Sequence, residues 1–373
     1  MSVFLDHAAT SPLRPEALEA FVLASGIVGN ASSLHRSGQR ARATLEEARE
    51  ELAAAVGAHP SEVIFTSGGS EADTIAVLGG WAARRDAGFR RCLVSAVEHP
   101  AVADAVARGA EVLPVDGGGL VDLGRAATLV DASVGLVSVQ WVNNETGVVQ
   151  PLAAVRSLAP DAWLHSDAVQ ALGHVPVDFT ASGLDLMSLS AHKVGGPVGI
   201  GALLARRETT PAAVGLGGGQ ERGVRSGTSA VALAVAFARA ASLAADELST
   251  EGPRLAELSS RIAALVVGLG ARLNSRADGA PHIVNATFDG VRADDVLFLL
   301  DQLGVDASVG SACRAGVHQP SEVLLAMGRS LEDATSSLRF SLGHTSTVAD
   351  VEALEVALPQ ALDRARGAFG RGA

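Results

Sequence analysis

The residues of this 373-residue chain best suited to chemistry fall in five short clusters, each at the end of an apolar run. Ser67-Gly68-Gly69-Ser70-Glu71 follows residues 63–66, and Glu98-His99-Pro100 follows 92–97. Asn143-Asn144-Glu145 follows 135–142, Asp167 ends 162–167 with Gln170 one turn on, and Ala191-His192-Lys193 follows 186–190. A Gly-Gly-Ser turn from strand to helix can cradle a phosphate on backbone N–H groups. A lysine can form an imine with an aldehyde, an aspartate can keep a pyridine nitrogen protonated, and a histidine can stack on an aromatic ring. Together these residues are compatible with pyridoxal phosphate (PLP) without requiring it. Singly, each has a plainer reading: a simple turn for the glycines, helix caps for His99 and Asp167, a loop lysine for Lys193. The glycine turn is neither a Walker loop nor a Gly-x-Gly-x-x-Gly fingerprint.

To act together the clusters must share one rim. Short apolar runs alternating with helical patterns predict an α/β parallel sheet, whose ligands bind beyond the carboxyl ends of the strands. Residues 111–115 and 200–204 complete a set of seven strands, with helices over about 36–56, 70–87, 100–108 and 151–158. After about residue 228 the texture changes. An Ala-rich helix over roughly 229–276 leads into a strand at 282–288, a helix near 294–303, a strand at 337–342 and a final helix. These smaller alternations predict a second, α+β domain.

Composition narrows the function. Hydrophobic residues make up 48% of the chain and charged ones 19%, which excludes disorder for most of its length. The net charge of −12, from 29 basic and 41 acidic residues, argues against a footprint for nucleic acid or anionic membrane. Two cysteines more than 200 positions apart make no disulfide framework, and no zinc spacing occurs, so no metal is expected. The start, Met-Ser-Val-Phe-Leu-Asp, lacks a signal-peptide pattern, and a cytoplasmic setting is expected.

Two further residues stand out. Cys92 sits in an apolar strand and reads as a small buried hydrophobe. Cys313 instead lies among small and polar residues, Val309-Gly310-Ser311-Ala312-Cys313-Arg314-Ala315-Gly316, before a helix start near Ser321. That is the pattern of a loop, and Arg314 favours the thiolate. In Ser337-Leu338-Arg339-Phe340-Ser341-Leu342 the apolar residues alternate, so Arg339 faces away from the core side of its strand. Its planar guanidinium suits a carboxylate.

Phe4-Leu5-Asp6-His7-Ala8-Ala9-Thr10, Phe65-Thr66-Ser67-Gly68, Glu98-His99, Val142-Asn143-Asn144-Glu145-Thr146-Gly147, His165-Ser166-Asp167-Ala168-Val169-Gln170, Ser190-Ala191-His192-Lys193 and Gly223-Val224-Arg225-Ser226-Gly227-Thr228 occur in this order. With their spacing they resemble the cysteine desulfurases, PLP enzymes of the kind found in nitrogenase and iron–sulfur cluster assembly. The resemblance runs from residue 4 to about 343. It implies a fold-type-I PLP-dependent transferase with a mostly parallel seven-stranded sheet. A large PLP-binding domain is expected over 12–245, with 1–11 and 246–373 forming the smaller domain that carries the Cys313 loop.

The resemblance also implies roles. Lys193 holds PLP and shuttles the substrate α-proton, Asp167 pairs with the pyridine nitrogen, Gln170 binds the ring hydroxyl and His99 stacks on the ring. Gly69, Ser70, Ser190 and His192 take the phosphate, with Thr228 arriving from the second subunit of a homodimer. Asn144 and Arg339 grip the substrate carboxylate, and His99 serves the substrate thiol as acid and base. Cys313, in the Gly-Ser-Ala-Cys loop of this family, takes sulfur from L-cysteine as a persulfide, leaving alanine. The implied acceptor is an iron–sulfur scaffold or a tRNA-thiolating enzyme. Arg314-Ala315-Gly316-Val317-His318-Gln319-Pro320 departs from the Thr/Ser-rich continuation of the best-known members, so acceptor preference is expected to differ. Rival readings are a selenocysteine lyase, a related aminotransferase and a non-catalytic partner protein on the same fold. Cys313 disfavours the second, and the joint presence of Lys193, Asp167, His99, Arg339 and Cys313 disfavours the third.

Overall fold

The computed structural model describes residues 2–310 and 319–369. Its strands are β1 (Val3–Phe4), β2 (Val63–Thr66), β3 (Arg91–Ser95), β4 (Glu111–Leu113), β5 (Val134–Ser138), β6 (Trp163–Asp167), β7 (Leu186–Ser190), β8 (Gly201–Ala205), β9 (Arg272–Leu273), β10 (Ile283–Thr287), β11 (Val305–Asp306) and β12 (Ser337–Ser341). Seven of them form one sheet in the order β2-β8-β7-β6-β5-β3-β4. The pairs β3–β4, β3–β5, β5–β6 and β6–β7 are parallel, while β8 runs antiparallel to both β2 and β7. These are the seven strands expected from the apolar runs, and the fold is the expected α/β class. Strands β2, β5, β7 and β8 are buried along their whole length, as continuous Val/Leu/Ile-rich runs require when helices cover both faces.

Several runs stop being strand earlier than their hydrophobicity does. The run through residue 142 leaves the ladder after Ser138. Val139, Gln140 and Val142 stay buried while Trp141 is half-buried, and the Val139 and Trp141 N–H groups donate to the His165 and Asp167 carbonyls as the chain climbs onto the rim. The helix after β2 runs Gly69–Thr74, passes through a π turn at Ile75–Gly79 and continues as Gly80–Asp86.

A three-stranded antiparallel sheet, β12-β10-β9, and the short parallel pair β1–β11 lie in a second core built on Leu5, Val284, Phe288, Leu338, Phe340 and Leu354. One 38-residue helix, Val231–Gly268, spans the two cores. Its first half buries Ala234, Phe237, Ala241 and Ala244 against the large sheet, and its second half buries Leu255, Leu258, Ile262 and Val266 in the second core. No described helix is long and apolar enough to cross a membrane.

Candidate active site

Beyond the carboxyl ends of β2, β3, β5, β6 and β7 lies a cavity of about 450 Å³. Gly69, Ser70, His99, Asn144, Asp167, Gln170, Ser190, His192, Lys193 and Arg339 all line it. Of the residues singled out in the sequence, Thr228 lies on the exposed surface outside this cavity, and Cys313 falls outside the described residues.

The Gly68–Ser70 turn at one end of the cavity is packed too tightly for a side chain at Gly69. A Cβ on Gly69 would meet Val169 Cγ2 at 2.9 Å and Ser190 Cβ at 3.4 Å. Gly201, at the start of β8, lies so close beneath that its Cβ would reach the Gly68 carbonyl carbon at 2.6 Å. The first turn of the helix from Gly69, whose leading N–H groups have no partner within the helix, borders the cavity beside Ser190 and His192. Thr10 holds His192 through Oγ1, 3.2 Å from Nδ1, and burial lowers that imidazole to about 4. The ring stays neutral.

Lys193 ends a short 3-10 turn after β7, with Nζ donating to the Ala8 and Ala9 carbonyls at 2.6 and 2.7 Å. Burial, with the nearby Arg339 cation, lowers its amine to about 8. Asp167 closes β6 and accepts the Val169 N–H at 2.9 Å. Burial raises its carboxyl, opposed by His99 and Lys193. His99 caps the helix Pro100–Ala103, its Nδ1 accepting the Ala101 N–H at 3.1 Å. The cap reading holds for this residue, which also lines the cavity. Burial lowers its pKa, and with Nδ1 committed as an acceptor the neutral ring carries its proton on Nε2.

Arg339 is buried, at 3% exposure, and not the open strand arginine that strand position alone allows. Its Nη1 donates to the Asn144 carbonyl at 2.8 Å and Nη2 to Asp6 at 2.6 Å, while Nε has no partner. A buried guanidinium on the cavity wall, held in place by Asn144 and Asp6, sets a fixed positive charge that suits a carboxylate. Asn143 holds the neighbouring turn: its Oδ1 accepts from the Glu145 and Thr146 N–H groups and its Nδ2 donates to the Val97 carbonyl.

Sequence reasoning quoted Glu98 and Glu145 within motifs and gave them no role. Glu98 lines the cavity with one oxygen accepting the Gln140 N–H at 2.7 Å and the other unpartnered, and burial pushes it up to about 8. Glu145 accepts the Ser321 hydroxyl at 2.5 Å and is raised by burial. Asp73, wholly buried behind the rim, drew no attention because its burial depends on the packing of β6 and β7 around it.

Residues 3–354 match the family Aminotransferase class-V. An IscS-like cysteine desulfurase of Mycobacterium tuberculosis is 49% identical over 98% of this chain and 97% of its own. A solved NifS-like protein superposes with a TM-score of 0.90 at 31% identity, covering 98% of this chain and all of that one. A structure described as SspA in complex with cysteine gives a TM-score of 0.79 at 29% identity, covering 93% of this chain and all of that one. The chain belongs to the cysteine desulfurase family. The cavity also suits the cofactor of such enzymes on its own geometry: a glycine cup at a helix N-terminus, a buried amine of lowered pKa and a buried carboxylate at a strand end.

Proposed function

We propose that this desulfurase uses PLP to convert L-cysteine to L-alanine and passes the sulfur through Cys313 to an acceptor protein. The observation that carries the reading is the convergence of Lys193, Asp167, His99, Gln170 and Arg339 on one cavity in a chain of this family. Gly69, Ser70, Ser190 and His192 would hold the phosphate, with Thr228 donated by a second copy in a homodimer. Asp167 would meet the pyridine nitrogen, Gln170 the ring hydroxyl, His99 the ring face and Lys193 the aldehyde carbon. When bound, PLP supplies an electron sink for the bonds to the substrate α-carbon.

The chain's own residues do the rest. Arg339 and Asn144 orient the substrate carboxylate. Lys193, with an amine near 8, exchanges a proton easily at neutral pH and moves the α-proton. His99 presents Nε2 to the substrate thiol. The Cys313 thiolate attacks the substrate sulfur, so that an S–S bond forms as the C–S bond breaks. The C–S electron pair stays with carbon, which takes a proton to give alanine, and Cys313 keeps the persulfide. An iron–sulfur scaffold or a tRNA-thiolating enzyme is the acceptor class we propose. The cysteine usage supports a cytoplasmic setting. The two separate cores support a cofactor-binding unit over 12–245 and a second unit from 1–11 and 246–373.

The test is a visible spectrum of the PLP-loaded protein, followed by L-cysteine addition with alanine and sulfide assayed. A band near the visible edge, lost in Lys193→Ala, and one alanine per sulfur released are expected. Cys313→Ser should keep the band and lose cysteine turnover. A band without alanine production would move the reaction to an aminotransferase or a selenocysteine lyase, and no band would remove the cofactor.

A further inference from the structure

Gln170 is held at both ends of its amide. Nε2 donates to the Ala8 carbonyl at 2.8 Å, and Oε1 lies 3.3 Å from His282 Nε2. A carbonyl only accepts, so Ala8 fixes which end of the amide is nitrogen. Oε1 also only accepts, so the facing His282 Nε2 must carry a proton. Burial holds His282 well below the usual imidazole range, and its charged or titratable neighbours His174, His7 and Arg339 all press the same way. The ring is therefore neutral, with its one proton on Nε2 and a bare Nδ1. Nδ1 is buried without a partner, so no acceptor there draws the proton away from Nε2.

The face of that ring is covered by His174, stacked at 3.5 Å between centroids and 15° between planes. His174 is itself kept neutral, at about 4, chiefly by burial. Two imidazolium cations could not share that separation in a dry site, so stacking and the neutral tautomer support each other. The residues come from different parts of the molecule. Gln170 and His174 follow β6 in the large sheet, while His282 immediately precedes β10 of the second core, its carbonyl accepting the Leu342 N–H at 2.8 Å.

We propose that His282 is a positioning residue for the cofactor: it locks the Gln170 amide so that the second Nε2 hydrogen faces the cavity and can be donated to the ring-hydroxyl oxygen of PLP. The inference rests on the PLP reading above. A donor on that oxygen draws charge from the ring, so the cofactor chromophore gives up its proton at lower pH. Without His282 Nε2 the amide loses its lock and that donor is weakened.

The experiment is a titration of the visible absorption of PLP-loaded enzyme between pH 6 and 10. His282→Phe keeps ring volume and the stack on His174 but has no donor, whereas His282→Gln carries a donor nitrogen at similar reach. The expected midpoint rises by roughly half to one pH unit in His282→Phe and returns toward wild type in His282→Gln. Gln170→Ala raises the midpoint too, and adding His282→Phe to it produces no further shift. Should the phenylalanine variant not fold, His282→Leu makes the same comparison. An intact band with an unmoved midpoint in His282→Phe, or additive shifts in the double variant, overturns the proposal. Absence of any band in the wild type overturns the cofactor reading instead, and this inference with it.

Discussion

Glu98 is a carboxyl held where a carboxylate is disfavoured. Its folded-state pKa of about 8 lies above the ordinary 4.5 because it is buried. The folded chain therefore keeps a proton that the unfolded chain releases, and the associated stability is complete below about pH 4.5 and lost as pH rises through 8. Glu98→Gln keeps an acceptor for the Gln140 N–H and removes the ionisation. The cofactor-free variant is expected to gain on wild type by roughly 2–4 kcal/mol between pH 5 and pH 8, seen as a diverging pair of melting curves. A constant offset across that range would mean Glu98 does not titrate with folding. Arg339 makes the opposite case, a charge that must stay. Arg339→Lys replaces the planar fork, which meets Asn144 and Asp6 with separate nitrogens, by one nitrogen that cannot span both and hold a carboxylate, and KM for L-cysteine should rise about 10- to 150-fold with the cofactor band preserved. An unchanged KM would remove Arg339 from substrate binding.

At the scale of elements, the site is a set of strand ends with a tight turn laid across them. Gly69→Ala pushes a methyl into Val169, and the helix N-terminus must back away from the cup. A clash of this kind costs about 1–3 kcal/mol, so the Kd for PLP should rise roughly 5- to 150-fold by equilibrium absorbance while the apo melting temperature changes little. Equal Kd values would mean the turn does not bear on the phosphate. This rim was legible in the sequence because each strand is a buried apolar run that ends where a polar cluster begins, so β2, β3, β5, β6 and β7 name the cluster residues directly. What stayed hidden depends on distance along the chain. The two-residue strands β1 and β11 carry no periodicity, yet they dock the segment whose Ala8 and Ala9 carbonyls hold Lys193. The stack of His174 on His282 joins residues more than a hundred positions apart, and neither has a neighbour in sequence that announces it. Arg339 was legible in chemistry and not in burial, since alternation in a strand gives a face but not what covers it.

At the scale of the molecule, the helix Val231–Gly268 belongs to both cores, and Arg339 and His282 reach from the second core into a site built by the first. Neither core can loosen without the other feeling it. Leu258→Ala, deep in the second core, should cost about 2–5 kcal/mol and lower a single calorimetric transition rather than split it. Two separate transitions would show the cores unfolding independently. The closure of the first residues against the last strands sets a timetable for biosynthesis. Val3 donates to the Gly304 carbonyl, and Ser341 donates to the Leu5 carbonyl. At about 5–20 residues per second, a nascent chain carries the segment around Leu5 without its Ser341 partner for roughly 17–70 s. Until residue 341 emerges from the ribosome, the segment whose Ala8 and Ala9 carbonyls accept from Lys193 has no strand to dock on.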